Sequence, residues 1–169
     1  DGLADTADGL GGSTRARSLA IMRDSQIGSF GVLALGLVVA AKIAALASLP
    51  GASVPLLLVA GHAASRAGVV LAIATGRPAR SDGAGNAVAA GAGAAGLGVA
   101  LACGAAAILV CGLVLPWPAV DGGLAGLVLA HLALRVLVER RLGGYTGDTL
   151  GAVQQTGEIG FYLVVLACL

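Results

Sequence analysis

The sequence predicts an all-α, polytopic integral membrane protein, a bundle of about five transmembrane helices with a polar segment at its N-terminal end. Three observations support this fold class. Of its 169 residues, 57% are hydrophobic and only 11% are charged, whereas soluble domains carry about 25% charged residues. The apolar residues form five long runs, each of about the 20 residues that cross a bilayer as a helix. The 28 glycines and the rare aromatic residues allow helices to pack closely in lipid.

Turn-forming residues separate the apolar runs and set the predicted helix bounds. Pro50-Gly51 follows the first run, and Pro116-Trp117-Pro118 separates the third from the fourth, with a Trp that suits the membrane interface. The candidate transmembrane helices are 28–49, 54–75, 92–115, 119–138 and 150–169. The last two contain polar residues, so a re-entrant or interfacial path stays open for them. With the polar segment 1–27, these helices form a single membrane domain over 1–169.

Arginines indicate on which side of the membrane the polar segments lie. Five crossings place 1–27, 76–86 and 139–148 on one side, and these segments contain Arg15, Arg17, Arg23, Arg77, Arg80, Arg140 and Arg141. The loops predicted for the other side contain no Lys or Arg. Because cytoplasmic loops are enriched in basic residues, the first side is predicted to face the cytoplasm.

Composition argues against several other classes of protein. A net charge of +1 provides no basic field for nucleic acid. The three cysteines, Cys103, Cys111 and Cys168, lie in apolar runs at spacings unlike those of a metal knuckle or a redox pair. A soluble bundle is the alternative to a membrane fold, but the sequence has too few amphipathic helices to cover such a core.

Three carboxylates, Asp1, Asp5 and Asp8, open the chain with no basic residue among them. Residues three and four apart share one face of a helix, so all three are predicted to project together. Such a cluster is repulsive unless a cation lies within it, and hard oxygen ligands favour Mg²⁺ or Mn²⁺. A solvated acidic terminus is the alternative.

Basic residues near this side, and within the apolar runs, suggest anion binding. Lys42 and Arg66 interrupt the first two runs, where a charge normally faces a partner or a cavity; snorkelling to the interface is the alternative, mainly for Lys42. Arg23 is suited to bidentate phosphate contacts, and the neighbouring Asp24 or Ser25 alternatively caps the next helix.

A Gly-rich turn, Gly143 to Gly151, enters the last predicted helix, where backbone N–H groups can meet a phosphate. Asp148, Gln155 and Glu158 then share a helix face; alternatively, Asp148 caps the helix while the other two form hydrogen bonds inside the bundle. His62 and His131 have no motif around them and are interpreted as structural. Carboxylates, arginines and a Gly-rich turn on one membrane face are typical of phosphoryl-group chemistry.

Four segments carry a resemblance to a known family. They are Asp-Gly-Leu-Ala-Asp-Thr-Ala-Asp-Gly at 1–9, Ile21-Met22-Arg23-Asp24-Ser25-Gln26-Ile27-Gly28, Ser65-Arg66, and Thr146-Gly147-Asp148-Thr149-Leu150-Gly151-Ala152. In this order they resemble the signature of cobalamin synthase, the adenosylcobinamide-GDP ribazoletransferase family. One loop departs from the family pattern, because it lacks the usual Tyr before Ala79-Arg80 and has Ala84 in place of Leu.

The resemblance implies a Mg²⁺-dependent enzyme of the bacterial inner membrane with its active site facing the cytoplasm. It joins adenosylcobinamide-GDP to α-ribazole or its 5′-phosphate, and it releases GMP and adenosylcobalamin or its phosphate. It also implies that the first quarter to third of the protein precedes Asp1, including a His that usually stands just before it. Whether the protein forms a homo-oligomer or binds other cobalamin-pathway enzymes stays open.

The residues and the resemblance together lead to one set of candidate site residues. Asp1, Asp5 and Asp8 are predicted to hold Mg²⁺, and the predicted catalytic residues are Asp5, Asp8 and Asp148. Substrate or phosphate contacts are predicted for Arg23, Asp24, Lys42, Arg66, Arg80 and Gly147. Two alternatives remain. A CDP-alcohol phosphotransferase requires Ala-Arg where this chain has Ala4-Asp5, and an anion transporter subunit would be expected to show internal repeats that the sequence lacks.

Overall fold

A computed structural model describes residues 1–80 and 93–169, and within these ranges the fold is helical without a β-strand. The helices are α1 (Gly2–Leu10), α2 (Arg15–Ile21), α3 (Ser29–Ser48), α4 (Val54–Thr75), α5 (Ala94–Gly112), α6 (Trp117–Leu142) and α7 (Gly147–Cys168). A short 3₁₀ turn, Gly51–Ser53, leads into α4. The predicted all-α class is confirmed.

Helices α3, α4, α5 and α6 are each long and apolar enough to cross a membrane. Their bounds lie within a few residues of the predicted ones, although residue 92 and most of the predicted loop 76–86 fall outside the described ranges. Helix α7 has 22 residues but is not among the helices that meet this length and hydropathy requirement. Its first turn packs on Gly2 of α1, and its last residue, Cys168, contacts Gly122 near the start of α6. Helix α7 therefore runs the length of the bundle beside α6. Together with the four long apolar helices, it forms a multi-pass helical bundle.

The turn between α6 and α7 is short and well defined. Gly143 ends α6 in the left-handed conformation, with φ of 73°, which a glycine adopts without steric cost. Thr146 and Thr149 then form a capping box: the Thr149 N–H donates to Thr146 Oγ1 at 3.2 Å and the Thr146 N–H donates to Thr149 Oγ1 at 2.8 Å. These two signals make α6 and α7 an antiparallel hairpin.

Small residues bring the two helices of this hairpin into backbone contact. A Cβ added to Gly126 would lie 2.5 Å from the Gly160 carbonyl oxygen, and one added to Gly160 would lie 2.6 Å from that of Gly126. Close approach of this kind strengthens dispersion contacts where lipid offers no hydrophobic drive for helix association.

The segments predicted for one side of the membrane meet in the structure. Arg15 Nε donates to the Leu142 carbonyl at 2.6 Å, and its Nη2 donates to the Ala79 carbonyl at 2.7 Å. The Tyr145 N–H donates to the Arg77 carbonyl at 2.9 Å. Arg15 therefore ties α2 to the end of α6 and to the segment after α4, which agrees with the predicted grouping of these segments on one side.

The main apolar core lies in the other half of the bundle, where α3 to α7 converge. Its fully buried members include Leu57, Cys111, Val120, Phe161 and Val165. By contrast, α3 and α5 expose most of their large apolar side chains, among them Leu37 and Val99. Outward-facing apolar residues of this kind are expected of helices whose solvent is lipid.

The hairpin packing leads to a test. Because neither glycine has room for a methyl group, we expect Gly126→Ala or Gly160→Ala to lower the free energy of unfolding by about 1–3 kcal/mol. Reversible unfolding in mixed detergent micelles measures this change. The matched control is Gly36→Ala in α3, where an added Cβ meets nothing within 4 Å. Equal stability of Gly126→Ala and Gly36→Ala would contradict the close contact.

Candidate active site

The carboxylate of Asp5 lies near that of Asp148, although the two residues are far apart in the sequence. Helix α1 reaches the first turn of α7 because Gly2 has no side chain: a Cβ there would lie 2.6 Å from the Asp148 carbonyl oxygen. The fold thus joins the first and the last segments that resemble the family signature.

The carboxylates of Asp5, Asp8 and Asp148 form an acidic cluster, and the pKa of Asp5 reflects its electrostatics. Burial raises that pKa above its ordinary value of 3.8, and the Asp148 and Asp8 carboxylates raise it further. Neighbouring carboxylates disfavour one another's ionised form. The site therefore attracts protons or cations.

Asp8 also has a structural contact, which the sequence did not indicate. Its Oδ2 accepts the Gly28 N–H at 2.7 Å, and its Oδ1 accepts the Gly31 N–H at 2.9 Å. These N–H groups belong to the first turn of α3, where a carboxylate is favoured by the helix dipole. The alternative that Asp24 or Ser25 caps this helix is wrong, since Asp24 Oδ1 instead accepts the N–H of Gln26 at 3.0 Å.

A divalent cation requires several oxygen ligands close together. Within residues 1–80 and 93–169, no group of three or more His, Cys, Asp or Glu side chains is placed to hold a metal ion by itself. Mg²⁺ in phosphoryl-transfer sites commonly uses only one or two carboxylates, together with substrate phosphates. The paired Asp5 and Asp148 fit that smaller requirement. The metal set of Asp1, Asp5 and Asp8 stays a prediction.

The other predicted residues on this side occupy three segments around the acids. Arg23 and Asp24 are exposed in the loop between α2 and α3, and Gly147 is the exposed first residue of α7. Arg80 is half-buried and follows Ala79, whose N–H donates to the Tyr145 carbonyl at 2.7 Å. Arg15, which was not among the predicted site residues, joins α2 to the end of α6 and to Ala79, next to Arg80. The phosphate contacts of the predicted residues stay predictions.

Lys42 and Arg66 lie deeper, inside the bundle rather than beside the acid cluster. Lys42 Nζ donates to Glu158 Oε2 at 2.7 Å and to Gln155 Oε1 at 2.6 Å. Arg66 Nη1 donates to Gln154 Oε1 at 2.9 Å. The snorkelling alternative for Lys42 is therefore wrong, and whether either residue also contacts an anion stays a prediction.

Glu158 is the centre of this intramembrane network. Only 6% of the residue is exposed, and besides Lys42 its carboxylate contacts His62, whose Nδ1 lies 3.0 Å from Oε1, and Gln154, whose Nε2 donates to Oε1 at 2.8 Å. Gln155 and Glu158 thus form hydrogen bonds inside the bundle, as one interpretation of the sequence held, but the cap that it assigned to Asp148 is wrong, because Thr146 caps α7. The signal for the role of Glu158 was present in the sequence, since an ionisable residue within an apolar run requires a partner.

The fold and these contacts define a class of protein: a multi-pass helical membrane protein with carboxylates and arginines gathered at one end and an ion-pair network inside the bundle. Residues 1–166 match the family described as cobalamin-5-phosphate synthase. The chain belongs to this family.

Curated relatives agree with the family assignment. A protein of Bradyrhizobium diazoefficiens is 47% identical over 99% of this chain and 64% of its own length. Proteins of Shewanella halifaxensis and Shigella flexneri are 42% and 40% identical, over 98% of this chain and 65% and 67% of their own lengths. All three are named adenosylcobinamide-GDP ribazoletransferase. The chain thus spans about two thirds of these relatives, and no solved structure matches it.

The Glu158 network generates a stability prediction. Glu158→Gln leaves the Lys42 ammonium without a counter-charge inside the bundle, so we expect the free energy of unfolding to fall by about 3–5 kcal/mol. Adding Lys42→Met removes the unpaired charge, and the double variant should recover part of the loss. Unfolding by a denaturing detergent, followed by circular dichroism, measures both.

Arg135→Gln is the control for the loss of an ion pair. Arg135 Nε lies 2.8 Å from Glu139 Oε1 within α6, and an i, i+4 helix pair contributes only about 0.3–0.5 kcal/mol. If Glu158→Gln were no more destabilising than Arg135→Gln, the network would not stabilise the bundle.

The raised pKa of Asp5 gives a prediction of pH dependence. Above that pKa the ionised Asp5 destabilises the folded state, so Asp5→Asn should raise the melting temperature at neutral pH. The difference should shrink as the pH falls, because folded wild-type protein then takes up the proton that relieves the repulsion. Melting curves from pH 7 to pH 4 test this, with Asp121→Asn, an exposed Asp of α6, as control. A difference that widened on acidification would contradict it.

Proposed function

We propose that the protein of which this chain is part transfers the cobinamide phosphate of adenosylcobinamide-GDP to a ribazole, in the last steps of cobalamin synthesis. The observation that carries this proposal is the approach of Asp5 to Asp148. These residues stand in the two most specific segments of resemblance to the family, and their proximity in the fold supports a shared site. The names of the relatives supply the substrates.

The chemistry required is displacement at phosphorus. A ribose hydroxyl of α-ribazole, or of its 5′-phosphate, attacks the phosphorus that bears the cobinamide. The diphosphate P–O bond breaks, and GMP leaves with the bridging oxygen. The hydroxyl proton passes to Asp5 or Asp148, either of which can act as the general base.

Neutralisation of the diphosphate is the second requirement. Arg23 and Arg80 lie on the same side of the bundle as the acids, and guanidinium groups match phosphate oxygens in geometry. Mg²⁺ bound by carboxylates of the set Asp1, Asp5 and Asp8, with Asp148 beside them, would withdraw charge from the phosphates and hold them in line. Burial and the neighbouring Asp148 and Asp8 carboxylates, which together raise the pKa of Asp5, support a cation there.

The proposed location is the cytoplasmic face of a bacterial inner membrane. Nucleotide substrates are cytoplasmic, and the segments that surround the acids carry most of the arginines of the chain. The opposite loops have none, which is the asymmetry of the positive-inside rule.

The test supplies adenosylcobinamide-GDP and α-ribazole to the purified protein in liposomes, in a form that includes the additional part that the relatives carry. We expect GMP and a cobalamin to form together and only with Mg²⁺. Asp5→Asn and Asp148→Asn should each lower the rate at least about 100-fold, while Asp121→Asn retains it. The 5′-phosphate, assayed in parallel, decides the acceptor.

Two outcomes would overturn the proposal. One is a folded protein that forms neither product, after which CDP-alcohol substrates and anion flux become the assays to run. The other is full activity in Asp5→Asn together with Asp148→Asn, which would remove the acid cluster from the reaction.

A further inference from the structure

A cavity of about 300 Å³ lies between α1, α2 and the start of α3, separate from the contact between Asp5 and Asp148. Asp8, Gly28, Arg17, Asp24 and Phe30 are among the residues that line it. We propose that this cavity binds the guanine base of a guanosine nucleotide and that Asp24 selects guanine over other purines. The inference rests on the proposed function, since the names of the relatives supply a GDP-bearing substrate.

The carboxylate of Asp24 suits the hydrogen-bonding edge of guanine. Guanine presents two adjacent donors, N1–H and the N2 amino group, which a single carboxylate can accept together. Adenine offers an acceptor at N1 and therefore cannot make this pair. The Gln26 N–H donates to Asp24 Oδ1 at 3.0 Å, which fixes the carboxylate at the cavity while lone pairs remain for a ligand.

The ring of Phe30 is placed where a purine base could stack on it. Its ring lies against Gly11, where an added Cβ would come within 3.3 Å of two ring carbons, and the residue is 61% exposed. One side of the ring is thus held by backbone while much of the rest is open beside the cavity. Base stacking on an aromatic ring is favourable for any purine, so Phe30 contributes affinity and Asp24 contributes selectivity.

The cavity also lies close to the proposed reaction site. Asp8, which lines it, is three residues from Asp5, or about 4.5 Å along α1. With the base in the cavity and the ribose directed along α1 towards Asp5, the phosphates would come near Asp5 and Asp148. Arg17, on the cavity wall, supplies positive charge for the phosphate nearest the ribose.

The experiment measures equilibrium binding of radiolabelled GMP, IMP and AMP to the purified protein in lipid nanodiscs, in the form that includes the additional part that the relatives carry, without any transfer substrate. IMP lacks only the N2 amino group of guanine. A site built to hydrogen-bond that group rejects the analogue, so we expect GMP to bind about 10- to 100-fold more tightly than IMP.

Asp24→Asn should bring the GMP and IMP affinities to within about threefold of each other, because an amide lacks the second acceptor that the two donors require. Asp24→Glu should restore part of the preference. Ser25→Ala, at an exposed position in the same loop, is the matched control and should leave the preference unchanged. Phe30→Leu should weaken GMP and IMP equally.

The assignment is overturned if the folded protein binds no GMP, if it binds GMP and IMP alike, or if Asp24→Asn keeps the preference. These results are independent of turnover. Transfer activity combined with an unchanged preference in Asp24→Asn would remove this inference and leave the proposed function standing. If the protein selected GMP through Asp24 but catalysed no transfer, this inference would stand and the proposed function would fall.

Discussion

The carboxylate of Glu158 is the interaction on which the arrangement of the bundle depends. It bonds to Lys42 of α3, at 2.7 Å, and to His62 of α4, at 3.0 Å, while belonging to α7. Three helices are therefore joined by one buried group within the apolar part of the molecule. Because an unpaired charge in hydrocarbon is costly, Lys42 and Glu158 each require the other. The network fixes how α3 and α4 lie on α7, and so where their ends present the polar site.

At the polar end, the acids of α1 combine two kinds of role. Asp8 holds the first turn of α3 through two backbone N–H groups, which stabilises the fold. Asp5 faces Asp148 with a raised pKa, an arrangement that costs stability and is therefore expected where function requires it. The same short helix thus anchors the bundle with one carboxylate and concentrates negative charge with another, one turn away.

Much of the fold could be predicted from the sequence because its causes are local. Apolar runs of membrane length predicted α3 to α6 to within a few residues, and the Gly-rich stretch after Leu142 predicted the turn that Gly143 makes. The polar last helix was harder, because Gln154, Gln155 and Glu158 lower its hydropathy, and only its packing along α6 shows that it runs the length of the bundle. The partners of Lys42 and Asp8 were not predictable, since they lie 116 and 20 residues away.

The sequence by itself determined the class of protein, the helices long and apolar enough to cross a membrane, the grouping of most arginines in three polar segments and the family, because composition, periodicity and motif order are properties of the chain. Only the tertiary structure decided which charges meet. It brought Asp148 to Asp5, directed Asp8 to α3 and formed an open cavity beside Asp24. The physical reason is that electrostatic and hydrogen-bond energies depend on distances in space. Helix packing, such as that of Gly2 against α7, sets these distances, and the spacing of residues along the chain does not reveal them.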